Sequence, residues 1–279
     1  MAIRPAIINS MVKAAEKASK RLVRDFGEIE QLQVSLKGPA DFVQNATLAA
    51  ERTIREELLL ARPGYGFSMP DGEKIEGDGQ HCFIIAPLDG VTNFLHGIPH
   101  FAISMALQRD KDLVASVVYN PISDELFWSE RGLGSYLNSR RLRVSARREL
   151  GTALLATGMS FKLADHQLIM GNLMPQIHGI RRFGSPALDL ANVAAGRCDG
   201  FFDYGLHPWN IAAGILLVRE AGGFVSDHRS SSIDSTELLK RGDILASNDS
   251  LHTRLATLLN SSKQTKKLSV QEKLNAAKT

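Results

Sequence analysis

The sequence predicts a layered protein of the mixed α/β class. Three observations carry this prediction: two amphipathic helical segments open the chain, a block of short apolar segments follows, and the second half alternates strands with helices. The length of 279 residues fits one large domain or two closely packed halves. With 44% hydrophobic and 23% charged residues, the composition is that of an ordinary globular protein.

Apolar residues recur at helical spacing in the first two segments. From Ile7 to Phe26 the pattern predicts one amphipathic helix that ends near Gly27. A second helix is predicted from Phe42 to about Leu60, before the interruption at 62–66. The polar, glycine-rich segment 70–80 is expected to form a loop or hairpin.

Short strands are predicted in the middle of the chain and between helices in the second half. In the first half they cover 82–85, 101–107, 113–119 and 125–129, with shorter strands after the turns at 131–134 and 138–140. In the second half the predicted strands cover 151–158, 181–183, 200–203, 224–226 and 243–247, and the predicted helices cover 166–177, 186–195, 209–221 and 251–259.

No repeat or low-complexity linker divides the chain. We therefore expect a single domain over 1–260, built from two packed halves of about 1–145 and 146–260. Residues 261–279 form a basic tail with five lysines and one glutamate, a net charge of +4. Such a run is usually a solvated end; docking to an acidic partner is the alternative.

Charge and cysteine usage favour a cytoplasmic protein. The net charge of +3 is too small to indicate nucleic-acid binding by itself. Cys82 and Cys198 lack disulfide-framework or zinc spacing and are expected to be buried thiols in a reducing compartment. No signal-peptide core or membrane-length apolar run is present, so no membrane association is expected.

One segment has the composition of a phosphate site. The apolar run before Pro87-Leu-Asp-Gly90 ends in an acidic turn, and Val-Thr-Asn follows. Backbone N–H groups of such a turn can hold an anion, and nearby carboxylates can hold Mg²⁺. On the Asp-Gly pair alone, an ordinary strand–turn would be the better interpretation.

The longer sequence around this turn decides between a phosphate site and an ordinary strand–turn. Residues 87–104 resemble the signature of the inositol monophosphatase family, which reads Asp-Pro-φ-Asp-Gly-Thr-Thr-Asn-Phe, where φ is apolar. Trp209-Asn-Ile-Ala-Ala-Gly214 resembles the second family motif, Trp-Asp-φ-Ala-Ala-Gly. Segments 36–43, 184–189 and 194–202 also match, so the resemblance extends to about residue 260. It is closest to the SuhB-type extragenic suppressor branch.

The resemblance implies a fold, an assembly and a reaction. The fold is a layered α/β/α/β/α sandwich, and the protein is expected to be a homodimer. The family reaction is Mg²⁺-dependent hydrolysis of inositol 1-phosphate to inositol and phosphate. In it, metal ions polarise the phosphate and activate a water molecule.

Carried over residue by residue, the resemblance places family metal ligands at five positions. They are Pro70, Ala86, the backbone oxygen of Leu88, Asp89 and Asn210. Only Asp89 keeps a carboxylate, whereas the other three side-chain positions have lost theirs. The sequence leaves open whether Asp71 or Glu73 acts as a substitute ligand.

Catalytic and substrate positions are altered in the same way. The threonine that orients the attacking water corresponds to Val91, and an aspartate of the early helix corresponds to Thr47. The resemblance also implies phosphate or substrate contacts for Gly90, Val91, Thr92, Asp203, Pro186 and Lys37. Pro186 stands where the family donates a backbone N–H, which proline lacks.

Two functions remain open from the sequence. The first is a working phosphatase with rearranged ligands. The second is a family member that keeps the fold and acts as a binding or regulatory protein, with a protein or RNA partner implied by the SuhB branch. The loss of four carboxylates favours the second, with weak or absent Mg²⁺ binding and with phosphate or sulfate held at the Gly90 turn without turnover.

Overall fold

The structure is a computed structural model, and it describes residues 4–32, 39–70, 75–158, 163–228 and 234–260. The helices are α1 (Ala6–Leu32), α2 (Pro39–Ala61), α3 (Val91–Leu95), α4 (Leu163–Leu173), α5 (Pro186–Ala194), α6 (Pro208–Glu220), α7 (Ser235–Arg241) and α8 (249–260). Short 3₁₀ turns occur at Leu150–Thr152 and Met174–Gln176.

Twelve strands are present in the described part of the chain. They are β1 (Gly66–Ser68), β2 (His81–Asp89), β3 (Ala102–Arg109), β4 (Asp112–Asn120), β5 (Glu125–Glu130), β6 (Gly134–Leu137), β7 (Arg140–Arg141), β8 (Leu154–Thr157), β9 (Gly179–Arg181), β10 (Gly200–Asp203), β11 (Phe224–Ser226) and β12 (Ile244–Ser247).

The strands form two sheets. The first has the order β1-β2-β3-β4-β5-β6-β7, in which only the β1–β2 pair is parallel. The second has the order β11-β12-β10-β8-β9, and β8 pairs in parallel with both of its neighbours. The first sheet is built from residues 66–141 and the second from residues 154–247. The domain limits themselves stay a prediction.

The described elements form five layers, which pack through three hydrophobic cores. The central core lies on both sides of the middle helix layer. Helices α1 and α2 cover the outer face of the first sheet, and α5 and α6 fill the space between the sheets. Helices α4 and α8 cover the outer face of the second sheet. The predicted α/β/α/β/α class is therefore confirmed.

Strand β2 is buried on both faces, which explains why its sequence is an unbroken apolar run. Phe83 and Ile85 pack against the α1–α2 layer, whereas Ile84 packs into the core between the sheets. Cys82, near the start of the strand, is half-buried rather than buried as expected, while Cys198 is buried.

Helices α5 and α6 pack together at a glycine. A Cβ placed on Gly214 would lie 2.4 Å from Cβ of Leu190, closer than real atoms approach. The small residues of the Ala-Ala-Gly motif thus let the two helices lie side by side between the sheets.

Several local expectations differ from the structure. Strand β1 was not expected, β2 continues beyond 85 to Asp89, and β9 lies at Gly179–Arg181, not at 181–183. Helix α1 continues through Gly27 to Leu32, because Gly27 lies on an open surface where a glycine weakens a helix without ending it. Helices α3 and α7 were not expected, since five and seven residues are too few to show a period. None of the described helices is long and apolar enough to span a membrane. The basic tail lies outside the described residues.

Candidate functional site

Asp89 ends strand β2 and lies buried where the first sheet meets α5 and α6. Its Oδ2 accepts hydrogen bonds from Ser185 Oγ at 2.5 Å and from the backbone N–H of Ala187 at 3.0 Å. Its Oδ1 accepts a hydrogen bond from Asn210 Nδ2 at 2.9 Å. Both oxygens of this carboxylate therefore have protein donors, which come from the starts of helices α5 and α6.

The donors come from the first turns of two helices, where backbone N–H groups have no partner within the helix. Ser185 caps α5 by accepting from Leu188 N, and Pro186 begins the helix. Asn210 lies in the first turn of α6, which also begins with a proline. Both helix starts face Asp89, so their partial positive charge favours its ionised form.

Gly90 allows the chain to turn directly after Asp89. It has a φ of 90°, and a Cβ there would lie 3.0 Å from the His100 carbonyl oxygen. Asn93 holds the turn in place, because its Nδ2 donates to the carbonyl oxygens of His100 and Phe183, both at 2.7 Å. Val91 and Thr92 open helix α3 with exposed side chains.

Two of the ligand positions without a carboxylate lie in or just beyond the paired strands β1 and β2. Strand β1 ends at Ser68, which pairs with Ile84 of β2, and Pro70 follows two residues later. Ala86, within β2, is 1% exposed, whereas Pro70 is exposed. Leu88, two residues after Ala86 in the same strand, is buried.

Of the remaining predicted site residues, Thr47 and Asp203 are described by the structure, and neither is bonded to Asp89 in it. Thr47 donates to the Val43 carbonyl oxygen of its own helix at 2.8 Å. The carboxylate of Asp203 accepts from Tyr204 N and fills the space beside Gly158, where a Cβ would lie 2.0 Å from Oδ2. Lys37, Asp71 and Glu73 lie outside the described residues.

A second buried acid, Asp189, lies in the first turn of α5. It is 1% exposed, and its Oδ1 has no hydrogen-bond partner among the described residues. Burial raises its pKa well above the ordinary value, and the charges of Asp89 and Asp203 raise it further. Burial also raises the pKa of Asp89, against the lowering effect of its three donors.

We expect Asp189→Asn to stabilise the protein at pH 8 by about 1–3 kcal/mol. Because the folded state raises the pKa of Asp189, it retains a proton that the unfolded chain releases near pH 4. Wild-type stability is therefore lost as the pH rises from about 4 through the folded-state pKa. Urea unfolding between pH 4 and pH 8 measures this, with Asp110→Asn on an exposed turn as the matched control. An increase in the free energy of unfolding that is the same at pH 4 and at pH 8 would contradict the expectation.

Sequence reasoning assigned no role to Ser185 or Asp189, although both lie in the matching segment Gly184-Ser-Pro-Ala-Leu-Asp189. The Ser-Pro pair before an apolar run is a helix-start signal that could have indicated Ser185. In the described part of the chain, no group of three or more His, Cys, Asp or Glu residues is placed to hold a metal ion.

Comparison with known proteins gives a consistent result. The model of the inositol monophosphatase family matches residues 5–264. The chain is 50% identical to an inositol-1-monophosphatase of Rhizobium meliloti, over 92% of this chain and 97% of that protein. It is 41% identical to the Nus factor SuhB of Pseudomonas aeruginosa, over 91% and 95%. The crystal structure of the extragenic suppressor protein SuhB from Bartonella henselae superposes with a TM-score of 0.84 at 52% identity, covering 91% of this chain and 98% of that one.

Proposed function

Because the chain belongs to the inositol monophosphatase family, we propose that it retains the family fold as a binding protein and lacks the family's Mg²⁺-dependent phosphatase activity. A single observation carries the proposal. The carboxylate of Asp89, which would bridge metal and substrate by family resemblance, is engaged by Ser185, Ala187 N–H and Asn210.

We infer that the residues at this site do not fit a magnesium ion. Mg²⁺ requires near-octahedral oxygen coordination and gives up its water reluctantly, so it needs carboxylate charge nearby. Asn210 directs its amide N–H₂ group, not its oxygen, at Asp89. Ala86 and Pro70 offer no side-chain oxygen. Without a well-held ion, no metal-bound water would be activated, and Val91 has no hydroxyl to orient one.

The turn after Asp89 supports anion binding without hydrolysis. The first backbone N–H groups of α3 have no acceptor within the helix, and no side chain caps them. We propose that a small phosphate-bearing molecule or another anion binds there. We also propose that the protein forms a homodimer, binds a protein or RNA partner and is cytoplasmic. The name of the Pseudomonas relative, a Nus factor, supports a partner of this kind.

A side-by-side assay tests the loss of catalysis. We expect the purified protein to hydrolyse inositol 1-phosphate barely above background at saturating MgCl₂, while the Rhizobium relative serves as the active comparator. Losing one well-placed catalytic group often costs about 10²–10³ in rate, and several are replaced here. Calorimetric titration should give Mg²⁺ binding no tighter than about 1 mM.

The controls address substitute ligands. Ala86→Asp alone should not restore activity, since Pro70, Val91 and Asn210 still lack the required groups. Turnover within about tenfold of the comparator, or rescue by Ala86→Asp alone, would support the working phosphatase instead. A crystal soaked in Mn²⁺ would then show whether Asp71 or Glu73 supplies the missing oxygen.

A further inference from the structure

A cavity of about 290 Å³ opens at the far end of strand β2 from Asp89. It lies where the start of α1 and the end of α2 meet strands β2 to β5 of the first sheet. His81 lines this cavity and begins β2, whereas Asp89 ends it, so at about 3.3 Å per residue the two sites are roughly 25 Å apart. The cavity is thus separate from the turn at Gly90.

Positive charge dominates its lining. Arg62, Arg109 and Arg131 line the cavity, and among the described residues Glu130 is the one acidic side chain there. Arg131 pairs with Asp112 at 2.5 Å, and Arg62 donates to the Ala61 carbonyl oxygen, which carries no net charge. The Arg109 side chain has no hydrogen bond or ion pair within the described part of the chain. We call this cavity the arginine pocket.

The shape of the pocket is held by a stacked pair of rings. Tyr65 and His81 lie 4.2 Å apart and within 5° of parallel. His81 Nδ1 is held by Asp78 Oδ2 at 2.7 Å, which orients the imidazole. Part of the pocket wall is therefore formed by two stacked rings, one of which is oriented by Asp78.

Glu130 supplies a second feature. Its Oε2 is buried and has no hydrogen-bond partner among the described residues. Burying such an atom without a partner is unfavourable, and a ligand that donates a hydrogen bond would relieve the cost. Because Glu130 lines the pocket beside the arginines, donors for negative oxygens lie close to a carboxylate that has an unused acceptor.

We propose that the arginine pocket binds a protonated phosphate group. Inorganic phosphate keeps at least one P–OH at pH 7, so its anionic oxygens can meet the arginines while its hydroxyl donates to Glu130. Sulfate is fully ionised at that pH and has no proton to donate. Glu130 would repel it, and the pocket should prefer phosphate over sulfate. Arginine forks suit such tetrahedral oxyanions.

Calorimetric titration with inorganic phosphate and with sulfate, at pH 7 and low ionic strength, tests the proposal. We expect phosphate to bind at least about tenfold more tightly than sulfate. Arg109→Gln should weaken phosphate binding about tenfold. Arg140→Gln, which changes an exposed arginine on the far strand β7, should leave it unchanged. Glu130→Gln should abolish the preference, because its amide can donate to either ion.

The outcomes distinguish phosphate binding in the arginine pocket from phosphate binding at the turn after Asp89. Phosphate binding that is unaffected by both Arg109→Gln and Glu130→Gln would belong elsewhere and would overturn the proposal. Equal affinity of the wild-type protein for sulfate and phosphate, or no phosphate binding, would do the same. Thermal melts of each variant confirm folding. The result does not depend on whether the protein hydrolyses inositol 1-phosphate.

Discussion

Replacing Asn210 with aspartate should destabilise the protein by about 3 kcal/mol at pH 7, although aspartate is the residue of the family motif at this position. In the structure the Asn210 amide donates to Asp89 Oδ1 at 2.9 Å. The substitution removes this donor and sets a second carboxylate against a carboxylate that is 2% exposed. Two such groups cannot both ionise without a cation between them.

Urea unfolding of Asn210→Asp measures the effect, with Asn45→Asp on the exposed face of α2 as the matched control. The control should differ from wild type by less than about 0.5 kcal/mol. The loss should shrink as the pH falls toward 4, because one of the two carboxyl groups then takes up a proton. Adding MgCl₂ to about 10 mM, roughly enough to saturate an ordinary magnesium site, should not restore stability. Restoration by Mg²⁺ would show that the family's metal site still forms, and would contradict the proposed loss of chemistry.

Replacing Gly214 with alanine should cost about 3 kcal/mol. The added Cβ would lie 2.4 Å from both Cβ and Cδ1 of Leu190, and the Cβ of Leu190 cannot move without its helix. Helices α5 and α6 would have to separate. Since α5 carries Ser185 and α6 carries Asn210, their hydrogen bonds to Asp89 would lengthen as well.

Gly171→Ala is the matched control, because a Cβ at Gly171 in α4 meets nothing within 4 Å. That change should stabilise the protein by up to about 1 kcal/mol, since alanine is the better helix former. Leu190→Ala removes the clashing Cγ and Cδ1 but keeps the Cβ, so it relieves part of the clash. The double variant should therefore be less destabilised than the sum of the two single variants. Simple additivity in this cycle would show that the two positions do not touch.

The sequence was most informative where burial and periodicity act over many residues. The apolar pattern of α6 predicted 209–221, and the observed bounds Pro208–Glu220 lie close to it. The apolar run of β2 predicted a strand that is present, although it extends from the expected 82–85 to Asp89. Helix α3 could not be predicted, because its five residues follow from the turn at Gly90 and from the Asn93 hydrogen bonds to His100 and Phe183, and the contact with Phe183 depends on a distant part of the chain.

The candidate site was predicted in part. Motif resemblance indicated Asp89 and Asn210, and the structure joins them by a hydrogen bond. The partner at Ser185 was missed, because which donors reach a buried carboxylate depends on how α5 packs against β2. Asp189 was missed for a related reason: its burial depends on how α5 packs between the two sheets, which local sequence does not reveal.

The hydrogen bonds of Asp89 also bear on the order in which the chain assembles. Its partners Ser185, Ala187 and Asn210 lie 96, 98 and 121 residues further along the chain. Contacts across such long loops form slowly, because the loop must close before any of them can stabilise it. The first sheet can therefore pair its strands early, whereas Asp89 gains its donors only when α5 and α6 dock. This junction would be among the last parts of the molecule to form during folding, and a chain still emerging from the ribosome would hold Asp89 solvated until its second half was made.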